Sequence, residues 1–312
     1  MDWEDFIKYI DEKYKVGEQL YNALKEKRPN DTDIIISPMQ LGDTVWFSAY
    51  AEAYKQKNNC RVLYVVKKSQ ESIPGKYEAV DMVLGIENVE MEALCLYIVR
   101  NELWNSNHII YGNHPGFIVL KNDGYAISMG IDKYENIEAE RCSILGLEGK
   151  VMPSMMRKTY KYDAEMQNRY ENSVLLLPAA NTFKTIDTDF WTRLAKYLKN
   201  EKGYKVYTNY NGLDCEMMIP ETEPLSSTLD ELQRMSKYID LFIGLRSGIC
   251  DYLAACGANL AVIYTQDYEV VDGEFKFWSS IQHLGIGEFT EIAYEQENEE
   301  KIINRLGDLL SA

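Results

Sequence analysis

No two of the six cysteines (Cys60, Cys95, Cys142, Cys215, Cys250, Cys256) form a C-x-x-C pair, and the chain has only three histidines, His108, His114 and His283, to join them. Neither a zinc spacing nor a disulfide framework is present, which implies reduced thiols and a cytoplasmic address. Long apolar runs are also missing. The longest, Val174 to Ala180, is broken by Pro178 and falls far short of the ~20 residues that a membrane span needs. The opening Met1-Asp2-Trp3-Glu4-Asp5 has neither a basic nor an apolar signal region, so secretion and membrane insertion are not expected, while peripheral attachment at the inner membrane surface stays open. Basic residues are outnumbered, 33 Lys and Arg against 49 Asp and Glu, for a formal net charge of −16. A surface of that sign repels phosphate backbones, so nucleic acid is not an expected partner.

What is there is a globular chain of 312 residues, 46% hydrophobic with 8 prolines, long enough for two cores at roughly 150 residues per domain. Two amphipathic patterns, Trp3, Phe6, Ile7, Ile10 and then Leu20, Tyr21, Leu24, predict a helical hairpin stopped at Pro29-Asn30-Asp31. The apolar run Asp33 to Ser37, the helical pattern from Val45 to Tyr54 and the run Arg61 to Val66 predict a βαβ unit and hence a parallel sheet. A strand near Met82 to Leu84, a helix over Val89 to Trp104 and a strand at His108 to Tyr111 continue it. The segment Lys150 to Arg169 reads as the connection, with domains over 1–165 and 166–312.

The second half repeats the alternation. Strands are predicted at Val174 to Leu177, Lys205 to Thr208, Asp240 to Ile243 and Leu260 to Tyr264. Helices are predicted with Phe190, Trp191, Leu194 and Leu198 on one face, from the capping box at Thr228 to Glu231, from Ile249 to Cys256 with Gly257 as stop, and over Gln296 to Leu310.

Parallel sheets bind ligands outside the carboxyl ends of their strands, and three loops there carry chemistry. Gln40-Leu41-Gly42-Asp43 follows the first strand: Gly42 permits a tight turn and Asp43 opens the helix, either as a reactive carboxylate or as a plain cap. Asn181-Thr182-Phe183-Lys184 follows the first strand of the second half and offers hydroxyl, amide and cation to a phosphate. Arg246-Ser247-Gly248 opens a further helix, with Arg246 as a bidentate diphosphate clamp and Asp251 one turn on.

In this order the loops resemble glycosyltransferase family 9, the heptosyltransferase-like enzymes. Gly42-Asp43 matches the family's Gly-Asp turn, Thr182, Lys184 and Trp191 look like its donor loop and the helix that follows, and Ser247-Gly248 match the core of its Asp-Ser/Thr-Gly-x-x-His motif. Arg246 stands for that motif's Asp, and Asp251 for its His. The resemblance implies an α/β chain of GT-B architecture, two Rossmann-like domains with parallel sheets facing an interdomain cleft, acceptor in the first and donor in the second. It implies an inverting, metal-independent glycosyltransferase of cell-surface polysaccharide or glycoconjugate biosynthesis in bacteria. Asp43 would be the general base, and Asn181, Thr182, Lys184, Arg246, Ser247, Gly248 and Asp251 would hold a nucleotide-diphosphate sugar. The acceptor would be a glycan or lipid-linked glycan, and the nucleotide sugar a co-substrate with no further cofactor. A nucleotide-sugar epimerase of the same fold and a non-catalytic nucleotide- or sugar-binding protein are the alternatives.

Other signals stay local. Asp187-Thr188-Asp189 spells a metal-binding D-x-D but precedes a helix, where capping explains it. His114-Pro115-Gly116 is either an acceptor-side loop or a plain turn, and Tyr160, Tyr162 and Tyr170 either stack on sugar rings or seal an interface.

Overall fold

Every residue from Thr32 to Ser37 is buried, as a strand must be when both faces of a parallel sheet are covered. The computed structural model describes residues 2–106, 108–113, 118–120, 125–127, 135–149, 151–157, 160–212, 216–285, 287 and 289–310. Two units form, Met1–Arg157 and Lys158–Ala312, each an α/β layer structure with its own core. No helix among the described residues is long and apolar enough to cross a membrane.

In the first unit, α1 (Trp3–Lys27) leads into β1 (Thr32–Ser37), α2 (Leu41–Ala49), α3 (Ala51–Asn58), β2 (Arg61–Lys67), β3 (Met82–Ile86) and α4 (Asn88–Arg100). β4 (Asn105–Ser106), β5 (Ile109–Tyr111), the antiparallel pair β6 (Ile118–Leu120) and β7 (Tyr125–Ile127), and α5 (Ile137–Ile144) follow. The main sheet runs β3-β2-β1-β5-β4, parallel except where β4 meets β5.

The hairpin expected over residues 3–28 is instead one helix of 25 residues. It lies so close to α4 that a Cβ on Gly17 would stand 2.0 Å from the Ala93 carbonyl oxygen. Tyr14 and Tyr21 flank Tyr97 of α4, and Lys13 pairs with Glu92 at 2.6 Å. Gly17, between the two apolar patterns, is therefore the point of closest approach and not a break.

The second unit holds α6 (Ala164–Tyr170), β8 (Ser173–Leu177), α7 (Thr188–Asn200), β9 (Lys205–Asn209), β10 (Glu223–Leu225), α8 (Leu229–Met235), β11 (Leu241–Leu245) and α9 (Gly248–Cys256). After these come β12 (Leu260–Tyr264), the hairpin β13 (Tyr268–Val271) and β14 (Glu274–Phe277), β15 (Thr290–Ala293) and α10 (Glu299–Asp308). Its six strands run β10-β9-β8-β11-β12-β15, all parallel. Taken in chain order this is 3-2-1-4-5-6, the Rossmann arrangement, whose connections reverse between β8 and β11. Phe190, Trp191, Leu194 and Leu198 of α7 pack on one face with Ile302, Ile303 and Leu306 of α10.

Candidate active site

In each unit the crevice outside the strand ends opens where the strand order reverses. In the first unit that point lies between β1 and β5, which are hydrogen-bonded neighbours. Gly112, after β5, donates its amide to the Ile36 carbonyl at 2.7 Å, and a Cβ there would meet that oxygen at 2.6 Å, so glycine is required.

The segment after β1 differs from expectation. Gln40 is the N-cap of α2, Gly42 is buried inside its first turn, and Asp43 is the third helical residue. Gly42 is thus not the turn; Pro38 to Gln40 is. The Asp43 Oδ2 accepts the Gln40 amide at 3.2 Å, the returning arm of a capping box, while Oδ1 accepts a short hydrogen bond from Arg141 of α5. Arg141 also pairs with Glu140 at 2.7 Å and lies over the Phe47 ring. The Asp43 side chain stays 17% exposed, against 9% for Arg141 and 4% for Glu140. Burial raises the pKa of Glu140; Arg141 pulls it back and Asp43 pushes it up further. This triad sets the orientation of Asp43 while leaving part of it in reach of a ligand.

Beside it, Thr44 donates to Gln70 at 2.5 Å and Gln70 donates to the Met39 carbonyl at 3.3 Å, tying the segment after β2 to the one after β1. His114 lies outside the described residues.

In the second unit, Leu177 of β8 is paired with Gly244 of β11, so the segments that follow, 178–187 and 246–248, leave neighbouring strands on the same side. The first is anchored by the segment that follows β12: Thr265 donates to the Lys184 carbonyl at 2.9 Å, and Gln266 to the Thr182 carbonyl at 3.1 Å. Phe183 turns inward, edge-on to Tyr264. The side chains of Asn181, Thr182 and Lys184 are left exposed. Ser247 is the N-cap of α9 and spends no side-chain bond on capping, and Gly248 is the first helical residue. Backbone amides, a hydroxyl and an ammonium thus belong to adjoining loops, a donor set suited to phosphate oxygens.

Arg246 and Asp251 are corrections to the expected site. The Arg246 guanidinium meets both Asp251 oxygens, at 2.8 and 3.0 Å, and donates to the carbonyls of Ser279 and Ser247. The two side chains are 6% and 2% exposed. Burial opposes the guanidinium charge, but the Asp251 carboxylate, together with Tyr264 and Cys250, outweighs it and raises the Arg246 pKa. A guanidinium so committed braces the loop and is not offered to a ligand as a diphosphate clamp. The two departures from the Asp…His pattern are in this sense one change, since each residue answers the other's charge. Beside them burial pushes the Cys250 thiol up to about 11, so it stays neutral.

The D-x-D reading also changes. Asp187 sits at the N-cap of α7 but makes no side-chain cap bond, and Asp189 pairs with Arg193 at 3.1 Å. Of the tyrosines, Tyr170 is buried edge-on to Tyr207, Tyr162 is exposed edge-on to Tyr238, and the Tyr160 ring lies under Arg234.

No protein-family model matches the sequence, and no curated protein does. Solved structures do match in fold. The glycosyl transferase family 9 protein from Veillonella parvula superposes with a TM-score of 0.60 at 14% identity, covering 90% of this chain and 97% of that one. The ADP-heptose lipopolysaccharide heptosyltransferase II of Escherichia coli gives 0.60 at 11%, covering 89% and 98%. The heptosyltransferase WaaC of Escherichia coli, solved with ADP-2-deoxy-2-fluoro heptose, gives 0.53 at 14%, covering 90% and 99%. The chain has the fold of the GT-B glycosyltransferases, and it resembles in particular the family 9 heptosyltransferases.

Proposed function

We propose that the chain is an inverting glycosyltransferase that moves a sugar from a nucleotide-diphosphate donor to a hydroxyl of a glycan acceptor, in the building of a cell-surface polysaccharide or glycoconjugate. The observation that carries this reading is that each unit has its own chemistry at its switch point, an oriented, part-exposed Asp43 in the first and an amide, hydroxyl and ammonium set in the second. The likeness in fold to heptosyltransferases, one of them solved with an ADP-sugar analogue, supports the same reading.

In this mechanism Asp43 takes the acceptor proton as the hydroxyl oxygen bonds to the anomeric carbon and the bond from that carbon to the diphosphate oxygen breaks on the opposite face. General-base help of this kind is worth roughly 10²–10⁴ in rate. Arg141 holds the carboxylate in place. Charge developing on the leaving diphosphate meets Lys184 and the amides at the start of α9, with no metal needed in this scheme. Arg246 serves only to hold that loop.

The test is a panel of ADP, GDP, UDP, CMP and dTDP, with and without their sugars, in EDTA, read by thermal shift and product analysis. Selective stabilisation by one nucleotide, with sugar transfer that falls at least a hundredfold in Asp43→Asn while nucleotide binding persists, is the expected result. A near-wild-type rate in that variant removes Asp43 as base, and isomerised nucleotide sugar without an acceptor makes the protein an epimerase.

A further inference from the structure

A pocket of about 210 Å³ opens in the first unit beside Gln40. It lies outside the carboxyl ends of β1, β2, β3 and β5, since Met39, Ser69, Asn88 and Asn113 all line it. Below the roughly 300–1,000 Å³ of drug-sized sites, it suits one small ring and not an extended chain.

Among the described residues its polar lining includes four primary amides, those of Gln40, Gln70, Asn88 and Asn113, beside the hydroxyls of Ser69 and Tyr111. Each amide carries two donors and an acceptor with two lone pairs, the complement of hydroxyls that both give and accept hydrogen bonds. Gln70 is held in place by Thr44 and Met39, so its orientation is set before anything binds.

The charges argue against an anion. Lys67 is the one cation lining the pocket among the described residues, and Glu92, itself bonded to Lys13, lines it too. Two helix N-termini border it, those of α2 at Gln40 and α4 at Asn88, and helix N-termini ordinarily attract anions. Each already carries one of the chain's own carboxylates on its cap amide: Asp43 accepts the Gln40 amide, and Glu90 accepts the Glu87 amide at 2.9 Å. An incoming phosphate or carboxylate would find those amides taken and like charges beside it.

Resting on the transferase reading, we propose that this pocket holds the accepting sugar ring and that this ring is a polyol carrying no phosphate or carboxylate. Gln40 links the pocket to Asp43: it lines the pocket and donates its backbone amide to the Asp43 carboxylate.

Saturation-transfer NMR on the full chain tests this, with methyl glucoside, methyl galactoside and methyl mannoside set against glucose 6-phosphate and glucuronate. The expected result is transfer to at least one neutral glycoside, at least threefold above any charged sugar. In Asn88→Lys, whose position is exposed, the neutral signal should fall at least threefold and the phosphate signal rise. Stronger transfer to a charged sugar, no transfer to any glycoside, or a neutral signal unchanged in Asn88→Lys overturns the proposal. Thermal shift with nucleotides on the same sample separates the two claims. Nucleotide binding without glycoside binding defeats the pocket assignment alone, whereas absence of nucleotide binding defeats the transferase reading beneath it.

Discussion

Arg246 and Asp251 stand five residues apart and form a two-pronged ion pair, at 2.8 and 3.0 Å, buried between the end of β11 and the first turn of α9. Removing one member leaves the other charged and out of water, which costs about 3–5 kcal/mol. Asp251→Asn is therefore expected to lower the urea unfolding midpoint strongly. Replacing both at once, Arg246→Met with Asp251→Leu, is expected to recover much of the loss, because an apolar pair needs no counter-charge. Recovery should be incomplete, since the Ser279 and Ser247 carbonyls lose their donor. A double-mutant cycle by chemical denaturation measures both effects, and additive losses would show that the two side chains do not act as a pair.

Lys184 tests the opposite kind of cation. It is exposed, so Lys184→Ala should change stability by no more than about 0.5 kcal/mol. A hydrogen bond to a charged group contributes about 1.5–3 kcal/mol, so nucleoside-diphosphate affinity should fall roughly ten- to a hundredfold. Calorimetry on the folded variant reads this directly. Unchanged affinity would place the diphosphate elsewhere.

The strands that position both sites are legible in the sequence because parallel strands are buried on both faces. Ile34-Ile35-Ile36 and Leu175-Leu176-Leu177 stand out as unbroken apolar runs. The Thr228 and Glu231 capping box and the left-handed Gly257 are local signals, and the structure contains both. What escapes is non-local. Arg141 is 98 residues from Asp43, and no spacing rule joins them. Asp251 is near Arg246 in sequence, but burial decides whether such a pair grips a ligand or itself, and burial is a property of the fold. The β13–β14 hairpin is largely solvent-exposed and leaves little apolar contrast to read.

Gly17 is expected to be intolerant of any side chain. A Cβ there would stand 2.0 Å from the Ala93 carbonyl oxygen and 2.8 Å from the Tyr97 Cβ, so Gly17→Ala must push α1 off α4. Overpacking of this kind costs about 1–3 kcal/mol, more than the helix propensity gained by replacing glycine with alanine, at most about 1 kcal/mol. Net destabilisation on urea unfolding is the expected outcome; a stabilised variant would mean that the two helices do not meet at this point.

The Glu140–Arg141–Asp43 triad makes stability depend on pH in a direction that can be worked out. Glu140 is raised above its ordinary value, first by burial and then by Asp43, with Arg141 opposing. In the unfolded chain it loses its proton near the usual ~4.3. Between that pH and its higher folded value, the folded state keeps a proton that the unfolded state has released. Stability therefore falls as pH rises through this window. Glu140→Gln removes the titration and should flatten the fall, while leaving the region below the window unchanged. Arg141→Gln should do the reverse: without the guanidinium, Asp43 and Glu140 face each other as bare carboxylates, and the loss of stability should be larger at pH 7 than at pH 5. Urea unfolding of wild type and both variants at those two pH values decides it. A Glu140→Gln curve parallel to wild type would mean that Glu140 titrates normally in the fold and that the triad does not couple the three charges.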